Sequence, residues 1–165
     1  MSKIIGFYSA GCINQIGPKE DILAFFQLVN KLVVKKYSKN DWSLITDRFY
    51  KRYLKWEELE PASVLMQRIQ EIFEGSSANM VDWYSLGVDE NTQLKLQEKS
   101  LAVVFERFFR GFGRCLGSAL LHKKEFNTYN QPLRVVVTEI PEFMEDDLRP
   151  LSDYDNLEGE PFWLR

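Results

Sequence analysis

The pattern of hydrophobic and polar residues predicts one β-strand near each end of the chain. Residues Lys3 to Ser9 mix β-branched and aromatic side chains and stop at Ala10-Gly11, which is typical of a short, mostly buried strand. The second strand, Leu133 to Ile140, reads LRVVVTEI and is stopped by Pro141. We expect these two strands to be neighbours in one small sheet. Residues 11–17, GCINQIG, are expected to form a turn-like connection.

Apolar residues that recur every three or four positions predict about four helices between these strands. The expected helices run from Pro18 to about Lys36, from Asn40 or Asp41 through Tyr53, from near Pro61 to Gly75, and from Gln97 to Lys123. The last of them has the widest apolar face and should be the central helix. Ser76 to about Lys95 lacks sustained periodicity, which indicates a long connection. The predicted fold is therefore α+β, with about four helices packed on a small sheet.

The length and composition of the chain indicate a single domain, residues 1–165. Hydrophobic residues make up 45% of the 165 positions, which is enough to build a substantial core. No apolar run approaches the roughly 20 residues of a membrane span, and the N-terminus MSKIIGFYSAG lacks a long apolar region with a cleavage site. We expect a cytoplasmic protein that does not enter a membrane.

Charge is distributed unevenly along the chain. Residues 139–160, the acidic segment, carry nine carboxylates and one arginine, a formal charge of −8, whereas residues 1–138 carry +4. Because it lies between the second strand and the apolar end Phe162 to Leu164, we expect this segment to be tethered at both ends. Its negative potential would attract a cationic surface, such as that of a protein that handles nucleic acid. The plain alternative is a solvated acidic run that keeps the protein soluble.

The candidate partner-binding residues are the carboxylates of the acidic segment and two aromatic anchors beside them. They are Glu142, Glu145, Asp146, Asp147, Asp153, Tyr154, Asp155, Glu158, Glu160 and Trp163. The predicted partner is a protein with exposed Lys and Arg, such as a nuclease. Direct binding to nucleic acid is not expected of a chain with a pI of about 5.3.

A basic stripe on the chain itself is a second possible binding surface for the acidic segment, besides a partner protein. Arg107, Arg110 and Arg114 lie at i, i+3 and i+7 of the predicted central helix and share one face. If the acidic segment folds back on this stripe, both features are structural and the protein is a non-enzymatic adaptor or regulatory subunit. Gly113 and Gly117 on the same helix would let another element approach closely.

The sequence offers few candidates for catalysis or metal binding. His122 is the single histidine, and its predicted place at the end of the central helix is explained by the helix dipole; an enzyme working through it is a third hypothesis. Cys12 and Cys115 are isolated thiols without the spacing of a zinc site or a disulfide framework. The pair Asp146-Asp147 lacks the loop spacing of a calcium site. We expect no enzymatic activity, no cofactor and no metal.

The helical motifs resemble those of a family of bacterial immunity proteins, found in polymorphic-toxin and contact-dependent growth-inhibition systems. The resembling stretches lie within roughly residues 4 to 120 and are Ile16-Gly17, Asp21 to Phe26, Trp42 to Tyr53, Glu57 to Phe73 and Leu101 to Phe112. The resemblance implies a small cytoplasmic protein, without enzymatic activity or cofactor, that binds one cognate toxin domain. Such a protein blocks the active site or an essential surface of the toxin. The resemblance carries over no site residues, and it leaves the oligomeric state open.

Overall fold

The computed structural model describes residues 3–87, 99–125, 133–138, 151–155 and 157–165. It contains a three-stranded antiparallel sheet with helices packed against it, so the predicted α+β class is confirmed. The described residues form more helical segments than the four that the sequence predicts. None of the helices in these ranges is long and apolar enough to cross a membrane.

The sheet has the strand order β2-β1-β3, in which both neighbouring pairs are antiparallel. Its strands are β1 (Ile4–Ser9), β2 (Cys12–Pro18) and β3 (Arg134–Val137). The expectation that the strands near the two ends of the chain pair with each other is confirmed by the register, in which Phe7 faces Val135. Residues 139–140 of the second predicted strand lie outside the described residues.

The prediction that residues 11–17 form a turn is wrong, because most of them belong to β2. The turn consists of Ala10 and Gly11 alone, and both have positive φ, 49° and 78°. A two-residue turn with positive φ at both positions matches the twist of the flanking strands and makes a tight β-hairpin. In β2 the exposed Ile13 and Gln15 alternate with less exposed neighbours, as expected of a strand at the edge of a sheet.

The helices occupy most of the chain between the strands. The α-helices are α1 (Lys19–Val29), α2 (Trp56–Glu74), α3 (Leu101–Val104), α4 (Glu106–Glu125) and α5 (Leu151–Asp155). Two π-helical segments, Asn30–Val34 and Leu44–Phe49, correspond to the end of the first predicted helix and to the second. Short 3₁₀ turns lie at Ala78–Met80, Tyr84–Leu86 and Phe162–Leu164.

Two helix boundaries differ from the prediction for identifiable reasons. α2 begins at Trp56 rather than near Pro61, because the Lys55 N–H donates to Glu58 Oε1 at 2.9 Å and closes the first turn. Pro61 therefore lies inside the helix, where it lacks the N–H for one backbone hydrogen bond. The predicted central helix is divided at Phe105 into α3 and α4; Ser100 caps α3 by accepting from the Val103 N–H at 3.3 Å.

Phenylalanine side chains fill the core between the sheet and the helices. Phe25 of α1 stacks on Phe108 of α4 with ring centroids 3.6 Å apart, and Phe7 of β1 lies 4.7 Å from Phe108 and 5.0 Å from Phe49. The close approach of α4 to the sheet occurs at Gly111, where an added Cβ would lie 2.5 Å from Ile16 Cδ1. It does not occur at the glycines named from the sequence, because nothing lies within 4 Å of a Cβ added at either of them.

Candidate protein-binding site

The structure places six of the ten predicted partner-binding residues. Glu142, Glu145, Asp146 and Asp147 lie outside the described residues. The other six lie in α5 and in the chain that follows it to the C-terminus: Asp153, Tyr154, Asp155, Glu158, Glu160 and Trp163.

Along this stretch, large apolar side chains point inward and carboxylates point outward. Tyr154, Leu157 and Trp163 are buried, with 2%, 6% and 2% of their surface exposed. The four acidic residues interleaved with them are all exposed: Asp153, Asp155, Glu158 and Glu160. The segment is therefore held by its own aromatic side chains while it presents its charges to solvent.

The prediction that Tyr154 and Trp163 anchor a partner is not supported, because both anchor this segment to the rest of the chain. The Trp163 Nε1–H donates to the Tyr50 carbonyl at 2.9 Å, and the two rings make an edge contact at 5.7 Å. Tyr154 and Trp163 each combine a large apolar surface with one polar atom. The apolar surface is buried inside the protein, and the polar atom forms its hydrogen bond there.

Arg134 of β3 connects the sheet to Tyr154. It is 3% exposed, and its Nη1 donates to the Tyr154 hydroxyl at 3.0 Å. Its guanidinium lies 5.3 Å from the ring centroid of Tyr8 and 5.4 Å from that of Tyr154. Charge-assisted hydrogen bonds and cation–π contacts are strengthened when water is excluded. The aromatic faces and the phenol thus give this buried charge a favourable environment.

Two further arginines, Arg48 and Arg52, hold the backbone and one carboxylate of the acidic segment. Arg52 Nη1 donates to the carbonyls of Tyr154, at 3.3 Å, and of Asp155. The Asp155 carboxylate accepts from the Tyr53 hydroxyl at 2.9 Å and lies 3.7 Å from Arg48. Burial, and then this hydrogen bond to Asp155, raise the pKa of Tyr53. Asp155 and the backbone beside it are therefore held by Arg48 and Arg52, and not by the stripe named from the sequence.

The predicted stripe, Arg107, Arg110 and Arg114, is exposed on α4 and lines a groove of about 400 Å³ beside β2. Arg110 pairs with Glu106 of the same helix at 2.5 Å. Among the described residues no carboxylate of the acidic segment forms an ion pair with the stripe, so the predicted docking there is wrong for residues 151–155 and 157–160.

The end of the chain is fixed by backbone contacts. Lys3 Nζ donates to the carbonyl of Arg165 at 3.0 Å, and Arg165 Nη2 donates to the carbonyl of Glu158 at 3.0 Å. These bonds hold the backbone on both sides of Glu160 without using the carboxylates of Glu158 and Glu160. In the part of the chain that the structure describes, neither carboxylate forms an ion pair.

A cleft of about 590 Å³ lies next to Glu160. Its wall includes Tyr50, whose pKa is raised by burial and then by the negative charge of Glu160. Charged residues of both signs line the cleft: Lys19, Asp47, Lys51 and Glu160. A partner that fits here has to match this mixture of charges, which gives more selectivity than a uniformly acidic surface.

His122 is half-buried near the end of α4, where the sequence predicts it. Within the described ranges no group of three or more His, Cys, Asp or Glu side chains is arranged to hold a metal ion.

One cluster was not predicted from the sequence. Cys12 of β2 and Cys115 of α4 have their sulfurs 4.0 Å apart, and the Asn14 side-chain amide donates to both, at 3.1 and 3.3 Å. Burial is the main cause that raises the pKa of Cys115 to about 12. The two thiols are far apart in sequence, and the strand that brings Cys12 to α4 was itself predicted as a turn.

Comparison of the chain with models of protein families, with curated proteins and with solved structures finds no match.

Proposed function

We propose that the chain is an immunity protein: a small cytoplasmic protein that binds a cognate bacterial toxin domain and neutralises it. The toxin is a nuclease, and the chain covers its active site or an essential surface. One observation carries this proposal. The exposed carboxylates of Glu158 and Glu160 stand on a backbone that buried aromatic side chains and hydrogen bonds already hold in place.

A fixed acidic surface suits a nuclease partner for an electrostatic reason. A nuclease needs Lys and Arg side chains to bind the phosphates of its substrate, so its active-site surface is cationic. Carboxylates can take the place of these phosphates, and their long-range attraction accelerates association. Since the backbone beside Glu158 and Glu160 is already ordered, little conformational entropy is lost when the partner binds.

Asp155 has a structural role rather than a role in contact with the partner. Its carboxylate already accepts from Tyr53 and lies near Arg48, so it holds the segment in shape. We therefore assign direct contact with the partner to Glu158 and Glu160, both of which are exposed. Tyr154 and Trp163, the predicted aromatic anchors, are buried and hold the acidic segment from inside the protein.

Growth of bacteria that express the toxin tests this proposal. The coding region directly upstream of this chain is expected to encode the end of a large secreted toxin. Expression of that domain alone should stop growth, and co-expression of the chain should restore growth and yield a complex that co-purifies. An upstream region without a toxic product, or a toxic domain that this chain neither binds nor neutralises, would contradict the proposal.

A second candidate, a non-enzymatic adaptor or regulatory subunit, is favoured by the contacts of Arg48 and Arg52 with the acidic segment. In that case the carboxylates serve the fold alone. Reversing the charge of Asp155 should then lower the free energy of unfolding, because its carboxylate contacts Arg48 and Tyr53, and the chain should neutralise no toxic domain, which is the opposite of what the immunity function requires.

A further inference from the structure

Two thiols from distant parts of the sequence meet where the β1–β2 hairpin contacts the central helix. Cys12 is the first residue of β2, directly after the Ala10-Gly11 turn, and Cys115 lies in α4. Their sulfurs are 4.0 Å apart, and the Cys115 sulfur also lies 3.6 Å from the Cys12 carbonyl oxygen. Both cysteines are present as free thiols.

The distance between the sulfurs is short enough for a covalent bond to form by a small movement. A disulfide bond is about 2.05 Å long, so the sulfurs must approach each other by about 2 Å. Cys12 lies directly after a two-residue hairpin turn and pairs with Ser9, and we assign the movement to this end of the hairpin.

The environment of the two sulfurs is asymmetric. Cys12 is half-buried and reachable from solvent, whereas Cys115 is fully buried. The Asn14 amide donates to both sulfurs, and such a donor stabilises a thiolate, which is the nucleophilic form of cysteine. Cys12 is thus placed to meet an oxidant first, and Cys115 is placed to react with the product.

We propose that Cys12 and Cys115 are a redox site, which a peroxide converts to an intramolecular disulfide that ties β2 to α4. The Cys12 thiolate attacks one peroxide oxygen and becomes a sulfenic acid, while the O–O bond breaks and the second oxygen leaves as water after taking up a proton. The Cys115 thiol then gives up its proton as its sulfur attacks the Cys12 sulfur, the S–O bond breaks, and the leaving hydroxide takes up a proton and departs as a second water. In sum two thiols and one hydrogen peroxide give one disulfide and two waters.

The disulfide would change the stability of the fold as well as the mass of the chain. It would join positions 103 residues apart in the sequence, so it would restrict the unfolded chain and raise the midpoint of thermal unfolding by several degrees. It would also change the two sulfur acceptors of the Asn14 amide. Asn14 lines the groove beside Arg107, Arg110 and Arg114. This redox site is independent of toxin binding.

Mass spectrometry of the full chain tests the proposal. The reduced protein is treated with hydrogen peroxide, and intact mass, free thiols and non-reduced peptides are measured. We expect a loss of about 2 Da, the simultaneous loss of both free thiols, a peptide pair joined through Cys12 and Cys115, and full reversal by dithiothreitol. The treated protein should remain a monomer on a non-reducing gel.

Single variants separate the bridge from simple oxidation. In Cys115→Ser the sulfenic acid of Cys12 has no resolving thiol, so it should accumulate and be trapped by dimedone. In Cys12→Ser the buried Cys115 should stay reduced under the same treatment. Addition of oxygen to one cysteine of the natural chain without a bridge, or a disulfide between two chains, would overturn the proposal.

Discussion

Arg134 of β3 donates to the hydroxyl of Tyr154 at 3.0 Å, and through this bond the sheet holds the acidic segment. Both residues are almost completely buried, with 3% and 2% of their surface exposed. The bond explains why an aromatic residue between two aspartates points inward. Its phenol reaches a buried guanidinium, and its neighbours Asp153 and Asp155 are left at the surface.

Tyr154→Phe removes this bond while keeping the ring. Hydrogen bonds to charged groups contribute about 1.5–3 kcal/mol, so we expect the free energy of unfolding to fall by about that amount, as measured by urea denaturation. The matched control is Tyr84→Phe, since Tyr84 is 77% exposed and its loss of a hydroxyl should leave stability unchanged. Equal stability of the two variants would show that the Arg134 contact does not hold the segment.

Trp163→Ala should be among the most destabilising substitutions near the C-terminus. Removal of a large buried aromatic side chain costs about 3–5 kcal/mol. Trp163→Phe keeps much of the apolar contact but loses the bond to the Tyr50 carbonyl, so it should cost clearly less. Chemical denaturation of the two variants measures this difference. A small effect of Trp163→Ala would mean that the apolar end is not a structural anchor.

Two glycines should respond to alanine in opposite directions. At Gly6 an added Cβ would collide with the backbone carbonyl of Asn14 and lie 2.7 Å from Thr138 Cγ2, so Gly6→Ala should destabilise the sheet by about 3 kcal/mol. At Gly113 the space is open, so Gly113→Ala should stabilise α4 by about 0.5–1 kcal/mol through helix propensity. Thermal unfolding of both variants checks the signs.

The rates of alkylation of the folded and unfolded protein should reveal the burial of Cys115. Burial is the main cause that raises its pKa, so little of the reactive thiolate forms at pH 8. In the Cys12→Ser background, iodoacetamide should therefore modify Cys115 very slowly at pH 8 and rapidly once the protein is unfolded in urea. Mass spectrometry gives both rates. A native rate close to the unfolded rate would contradict the buried position.

Local pattern was sufficient to predict the elements with a strong periodic signal. The β-branched runs of β1 and β3, and the apolar stripes of α1, α2 and α4, identified most of the fold. β2 was missed because its exposed and half-buried residues, together with Gly11 and Gly17, have the composition of a turn. The pairing of β2 with β1 comes from hairpin geometry, which hydrophobic periodicity does not report.

The candidate site was predictable in composition but not in orientation. The sequence identified the carboxylates of the acidic segment as candidates for contact with a partner. Asp153, Glu158 and Glu160 are exposed, as such contact requires. It did not indicate that Tyr154 and Trp163 point inward, because their partners Arg134 and Tyr50 are distant in sequence. For the same reason it selected Arg107, Arg110 and Arg114 from their helical spacing, whereas Arg48 and Arg52 contact the segment.

Association kinetics with the purified toxin domain test the central claim, that Glu158 and Glu160 attract a cationic partner. The measurement compares Glu158→Lys/Glu160→Lys with Glu60→Lys/Glu74→Lys, a control that reverses two exposed glutamates of α2 with the same change in net charge. We predict that the first variant associates at least about tenfold more slowly at low salt, and that the difference shrinks as salt screens the charges. Equal association rates for the two variants at low salt would contradict the proposed function of the acidic segment.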